Sequence, residues 1–215
     1  MSESIRVEKI VLGTMILKFN LSMEFVDRIN EVCDASEKIS FNYHLAGKIR
    51  KEFNITSSLP DDIKIVFLGF FQEYMRQCTG WRWQSGSYCY LDQVWYNDMK
   101  SGEYNPPHVH NSTKGSEGLS SVLMLKRPKT YGKEFSQEEN PSNGHLSLIC
   151  GMQDSFAASM CQTDMQVGDF FVFPYSLVHS VNPFNGTKEV RRTLSYNCNI
   201  FKNKELTNLF EGGNI

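Results

Sequence analysis

No apolar run in the 215 residues is long enough to span a bilayer, and neither sign of charge is in excess, with 22 Lys and Arg against 24 Asp and Glu and a net charge of -2. The first absence excludes a membrane helix. The second gives no sign of a broad basic footprint for duplex nucleic acid, nor of an acidic tail. The opening residues Met1-Ser2-Glu3-Ser4-Ile5-Arg6 lack the basic start, apolar stretch and small-residue cleavage site of a secretory signal, so a cytoplasmic location is expected. There is no C-x-x-C pair among Cys33, Cys78, Cys89, Cys150, Cys161 and Cys198, which are expected to be reduced and mostly buried. The N-x-S/T triplets, those at Asn54, Asn111 and Asn185 among them, are then chance matches. No repeat of fixed period and no low-complexity segment is present.

What is present is core-forming material: 40% hydrophobic residues, including 15 Phe and 9 Tyr. A chain of this length can bury about 70% of its unfolded surface and needs no disulfide staples, so one domain over 1–215 is expected. It has two textures. Residues 1–80 read as a helical support region: an extended stretch over Val7 to Phe19, then a helix capped by Ser22 with Phe25, Val26, Ile29, Val32 and Cys33 on one face. A second helix opens at Leu59-Pro60-Asp61-Asp62 and bears Ile63, Val66, Phe67, Phe70, Phe71, Tyr74 and Met75, ending near Thr79-Gly80. Residues 81–203 read as short strands between turns: Tyr88–Asn97, Leu119–Lys126, His145–Cys150, Ser155–Cys161, Asp169–Phe173, His179–Asn182 and Val190–Phe201. Many strands after a few helices predict a mainly β, α+β fold, a sandwich or jelly roll with helices packed on one sheet. The polar connection from Arg127 to Gly144 is long enough to be a lid or a substrate loop.

Histidine is scarce, 5 in the chain, and two of the five fall in Asn105-Pro106-Pro107-His108-Val109-His110. In extended backbone, side chains at i and i+2 leave the same face, so His108 and His110 can converge on one ion. Two surface histidines would give the same letters. A Gly168-Asp169 turn then leads into an apolar strand, Pro174 breaks it, and His179 follows, placed to meet the pair from a neighbouring strand. Farther on, period-2 alternation puts Arg191, Thr193, Ser195 and Asn197 on one face and Arg192, Leu194 and Tyr196 on the other. An arginine on a polar face inside an apolar barrel calls for an anion, since its fork matches a carboxylate bidentately. A surface arginine pair flanking a strand is the alternative. His44 and His145 have no partner pattern, and Asp169 reads as a turn residue.

Taken in order, Trp95-Tyr96-Asn97, Gly102-Glu103-Tyr104-Asn105, His108-Val109-His110, Leu119-Ser120-Ser121-Val122, Gly168-Asp169, Phe173-Pro174, His179 and Arg191 to Asn197 resemble the 2-oxoglutarate- and Fe(II)-dependent oxygenases. The nearest branch has H-x-H as its first metal motif and R-x-S-x-S-F-N in its terminal strand. The resemblance spans about residues 88–201. It implies a double-stranded β-helix, a cupin-like jelly roll, with Fe(II) held by His108, His110 and His179. It also implies that Arg191, with Thr193, binds the distal carboxylate of 2-oxoglutarate, and that O₂ is consumed as the cosubstrate is converted to succinate and CO₂. The substrate to be hydroxylated is unidentified: a peptide side chain, a nucleobase or a small molecule.

Two departures stand out. His110 occupies the position that most relatives give to Asp or Glu, and because a histidine fills that position, halogenation is not expected. Met124 stands where many relatives have Tyr, and Asn97 faces the same region by analogy as a substitute cosubstrate contact. Alternatives are a three-histidine cupin-type metalloprotein without 2-oxoglutarate and a non-catalytic jelly-roll interaction module. Oligomeric state is not legible.

Overall fold

The computed structural model describes residues 13–44, 46–78, 87–111, 117–134, 138–151 and 158–202. In chain order the strands are β1 (Leu17–Asn20), β2 (Ile39–Ser40), β3 (Glu52–Asn54), β4 (Ser87–Met99), β5 (Asn105–His108), β6 (Glu117–Lys126), β7 (Leu146–Ile149), β8 (Met160–Thr163), β9 (Asp169–Pro174), β10 (Val178–Val181) and β11 (Arg191–Lys202). The helices are α1 (Met23–Ala35) and α2 (Asp61–Gln77). A seven-stranded sheet runs β1-β9-β6-β11-β4-β3-β2 and a four-stranded sheet runs β5-β10-β7-β8, with every pairing antiparallel. From β4 onward the chain crosses repeatedly between the two sheets. That winding is the double-stranded β-helix expected from the resemblance.

Alternation in β11 decides which side chains face which layer. Leu194, Tyr196, Cys198 and Ile200 join the cluster beneath the helices, with Val26, Ile29, Ile63, Phe67 and Phe71. Phe67 stacks its ring 5.3 Å from Phe170 and 5.0 Å from Tyr196, so α2 is seated on β9 and β11. Ser22 caps α1 as expected, its Oγ accepting from Phe25 N at 3.3 Å. The expected stripe of α2 is right except at Val66, which is exposed. The opposite face of the large sheet turns Met124, Phe171 and Phe173 toward Leu146, Leu148 and Val181 of the small sheet, forming the barrel interior.

The first 80 residues supply more than helices. β1, β2 and β3 extend both edges of the large sheet, and of these only β1 overlaps an expected strand, whose residues 7–12 lie outside those described. Likewise the expected strand over Ser155–Cys161 begins at Met160, since residues 152–157 lie outside those described. Among the described residues no disulfide forms. Only Cys33 and Cys198 are fully buried and Cys161 is exposed, a correction to the expectation of mostly buried thiols. No helix among the described residues is long and apolar enough to cross a membrane.

Arg192 fastens the two layers. Its guanidinium grips Asp98 on β4 at 2.6 and 2.9 Å and reaches Asp34 at the end of α1 at 2.7 Å. Removing one partner of a largely buried pair leaves the other charge unpaired, so Arg192→Ala is expected to destabilise the fold by about 3 kcal/mol in urea unfolding.

Candidate metal centre

The histidines meet because of strand register. β5 is an edge strand, the place where Pro106 and Pro107 can lie extended without leaving ladder bonds unmade. β10 pairs with it so that His179 stands directly opposite His108. His110 lies two residues beyond on the same face, tied by its backbone N–H to Tyr175 O at 3.0 Å. The ligand-capable ring nitrogens of the three residues all lie within 4.8 Å of one another.

Their protonation suits a metal. His108 Nδ1 lies 2.7 Å from Pro106 O, and His179 Nδ1 lies 3.0 Å from Leu177 O. Donating there places the proton on Nδ1 and leaves Nε2 free as a ligand atom. The Nε2 atoms of His110 and His179 are 3.2 Å apart. Two nitrogens at adjacent positions around one ion, each about 2.1 Å from it, would be separated by about 3 Å. Burial, joined by the neighbouring imidazoles, pushes His179 down to about 4 and holds His110 well below the ordinary histidine value. Burial also lowers His108, against the carbonyl contact at Pro106. All three are therefore neutral near pH 7, with lone pairs available.

Farther along the barrel is the arginine. Ser195 pairs with Trp95, whose ring is 5.7 Å from that of His110, and Arg191 is four residues deeper on the same face of β11, roughly 13 Å of strand. Arg191 is 1% exposed, its Nε donates to Gly144 O at 3.1 Å, and a terminal nitrogen rests on Met165 Sδ at 3.9 Å. Among the described residues no carboxylate pairs with it, and burial lowers its pKa. This is a cation enclosed without an anion. Arg192 points to the other layer and is fully engaged there.

Between the arginine and the histidines, Thr193, Asn97 and Asn105 line a narrow cavity of about 20 Å³ together with the three imidazoles. That is room for about one water, so a larger guest must move side chains aside. Asn97 Oδ1 and Asn105 Oδ1 are buried there without a hydrogen-bond partner. Beyond His110, toward the last turn of α2, a second cavity of about 590 Å³ is lined by Tyr74, Cys78, Leu119 and Tyr175, and His110 borders both cavities.

Three features escaped the sequence reading. Met124, which stands where many relatives have Tyr, is buried in the apolar core, but a tyrosine hydroxyl is nonetheless present: Tyr131 Oη is buried and meets the Arg191 guanidinium. The described part of the segment 127–144 carries this tyrosine to Arg191. It folds inward, Glu134 accepting the N–H of Ser142 and Asn143 at 2.5 and 2.6 Å, with Gly144 at φ +69° where a Cβ would stand 2.5 Å from the Tyr131 ring. Finally, Glu52 is wholly buried on the interior face with neither carboxylate oxygen paired. Asp169 is the turn residue expected, accepting from Gln166 N at 2.9 Å and pairing with Lys18 at 2.8 Å, after Gly168 at φ +92°.

Residues 93–197 match the family described as "Putative 2OG-Fe(II) oxygenase". No curated protein matches the chain in sequence. Solved structures share its fold at low identity. HygX from Streptomyces hygroscopicus, solved with nickel and 2-oxoglutarate bound, has a TM-score of 0.59 and 8% identity over 86% of this chain and 83% of that one. A prolyl-4-hydroxylase from Pseudomonas putida has a TM-score of 0.56 and 15% identity over 86% and 91%. SnoN, a non-heme α-ketoglutarate-dependent epimerase from nogalamycin biosynthesis, has 0.55 and 12% over 86% and 78%. The segment 93–197, just under half of the chain, is similar to the 2-oxoglutarate/Fe(II) oxygenases, and it contains the three converging histidines and the enclosed arginine.

Proposed function

We propose that the protein is an Fe(II)- and 2-oxoglutarate-dependent dioxygenase that hydroxylates a substrate and releases succinate and CO₂. The observation that supports this best is the pairing of three neutral imidazoles at one point with a buried, counterion-free Arg191 on the same barrel interior. In this reading His108, His110 and His179 hold Fe(II), and a facial set of three protein ligands leaves positions open for cosubstrate and O₂. When bound, the iron supplies the oxidative chemistry. The chain's own residues do the rest. Arg191 and Thr193 take the distal carboxylate, Asn97 contacts the cosubstrate from the adjacent strand, and Tyr131 Oη is placed to donate alongside Arg191. Phe173, whose ring centre is 4.8 Å from that of His179, helps keep water from the site.

The primary substrate would approach His110 from the 590 Å³ cavity, whose lining of Tyr74, Leu119, Pro174 and Tyr175 suits an apolar or aromatic group. One domain over 1–215 is the reading for the whole chain, with 1–80 supporting the catalytic barrel of 81–203, in a cytoplasmic protein.

Anaerobic titration with Fe(II), followed by 2-oxoglutarate and then air, tests this. One Fe(II) per chain and 2-oxoglutarate-dependent formation of succinate are expected. Iron binding with no affinity for 2-oxoglutarate would favour a three-histidine metalloprotein of cupin type, and no metal binding would favour an interaction module.

A further inference from the structure

Glu52 is the buried polar group that the proposed reaction leaves unexplained. It sits on β3 directly opposite Asn97 of β4. Phe53 beside it packs on Tyr96 in the helix-side layer, 5.4 Å between ring centres, so alternation turns Glu52 and Asn97 together to the barrel interior. Its carboxyl group abuts the Ala46–Gly47 segment, since a Cβ on Gly47 would stand 2.6 Å from Oε1, and Ala46 itself lines the cavity with Asn97. Glu52 is 0% exposed, and Oε1, Oε2 and Asn97 Oδ1 all lack a partner.

Three unpartnered acceptors in one place are costly, and an ionised carboxylate makes the account worse because it offers no donor. A protonated one offers a single O–H. Side-chain tips of directly opposed residues on neighbouring strands are within reach of each other, so that O–H and Asn97 Oδ1 can satisfy one another after a small change of rotamer.

We propose that Glu52 is a positioning residue for the cosubstrate: as a neutral acid it donates to Asn97 Oδ1 and so holds the Asn97 amide with its NH₂ group toward the cavity, where 2-oxoglutarate would lie. The inference rests on the reading of that cavity as the 2-oxoglutarate site. Ionised, Glu52 loses the donor and places a negative charge level with a dianionic guest. Burial first, and Glu103 second, push its pKa up to about 7, which sets the pH window. The groups around it are few. Lys48, Arg50 and Lys51 on its own segment are exposed, and Glu103 is held by the N–H groups of Arg50 and Lys100 at 3.3 and 2.8 Å. Asp98 is engaged by Arg192 on the other face of β4. Across the cavity stand the three histidines and, deeper, Arg191. Protonating the histidines would loosen the metal and weaken binding at low pH, the opposite sign to the effect of Glu52.

The test is calorimetric titration of the full-length, Mn(II)-loaded protein with 2-oxoglutarate at pH 6 and pH 8. If only the protonated form positions Asn97, the apparent Kd rises about tenfold between those values. Glu52→Gln, neutral and still a donor, should bind as the native protein does at pH 6 at both pH values. Glu52→Ala should be equally flat but about fivefold weaker than native at pH 6, and Asn97→Ala should keep only the part of the pH dependence that the Glu52 charge itself exerts on the dianion. Persistence of the tenfold change in Glu52→Gln, or equal weakening in Gln and Ala, overturns the proposal while leaving the oxygenase reading intact. Failure of the native protein to bind 2-oxoglutarate at either pH overturns both. Thermal unfolding of the ligand-free protein is a second measurement. A folded-state pKa of about 7 lies above the unfolded value near 4.5, so the native protein holds the extra proton between them and loses stability as pH rises through that window. Glu52→Gln should therefore raise Tm by ~5 °C or more at pH 8 and change it little at pH 5. A lower Tm at both pH values would make Glu52 a structural residue and overturn the proposal.

Discussion

Replacing His179 by alanine is expected to lower Fe(II) affinity by at least ~100-fold, beyond what loss of an outer-shell partner does to metal sites, and to end 2-oxoglutarate turnover. The residue is 4% exposed and sits directly opposite His108 on the neighbouring strand, with its Nδ1 tied to Leu177 O. Its Nε2 is thus fixed by a backbone contact and by strand register, not by the metal. Alanine removes the ligand atom and leaves β10 in place. The site then has two imidazoles on one short segment and, among the described residues, no carboxylate to substitute. Without an anionic ligand the triad has no charge of its own to hold a dication. The measurement is an anaerobic Fe(II) titration, with circular dichroism to show that the barrel persists. Iron binding within fivefold of native in folded His179→Ala would sink the assignment of this residue as a ligand. Tautomer fixation also predicts that His108, with Nδ1 held by Pro106 O, behaves alike.

Much of this site was legible in the sequence because strands obey a strict period. In extended backbone H-x-H puts two side chains on one face, and alternation along Arg191 to Asn197 favours Arg191 over its competitor Arg192 for the interior face. The structure agrees: Thr193, Ser195 and Asn97 line the cavity with the histidines, while Leu194 and Tyr196 lie under the helices. What the sequence could not convey is contact between distant segments. Glu52 stands in a three-residue strand of letters Glu-Phe-Asn, too short for a period to register, and a glutamate beside an exposed lysine reads as solvated face. Its burial comes from the Ala46–Gly47 segment folding against it. Tyr131 belongs to a polar segment whose length suggested a lid or substrate loop, and only the close approach of Gly144 to its ring and the contact with Arg191 reveal it beside the interior arginine. The two prolines of β5 hid a strand that an interior position would have forbidden but an edge position permits.

Arg191→Met is expected to act in opposite directions on two measurements: 2-oxoglutarate affinity falls by ~10²- to 10³-fold, while the ligand-free protein becomes more stable. The first follows from removing one partner of a buried charge pair, a loss of about 3–5 kcal/mol. The second follows from the fold. Ligand-free Arg191 is a cation enclosed beside Met165 and Tyr131, with a carbonyl, a thioether and the Tyr131 hydroxyl as its neutral contacts. Methionine keeps the unbranched stem, suits those surroundings and removes the desolvated charge, a change worth about 1–4 kcal/mol in favour of the variant. The lost hydrogen bond to Gly144 O returns about 1 kcal/mol of this. A net gain of up to about 3 kcal/mol corresponds to a Tm increase of up to ~9 °C for a chain of this size. Fe(II) affinity should not change, since the histidines hold their positions through register and carbonyl contacts. A structural arginine would give the reverse pattern, lower stability and unchanged 2-oxoglutarate binding, and that result would remove Arg191 from the site. The adjacent position supplies the control. Arg192 meets two carboxylates, so its removal should destabilise the fold while sparing the cosubstrate, and two arginines adjacent in sequence should shift Tm in opposite directions because alternation sends one to a site awaiting an anion and the other to a finished ion pair.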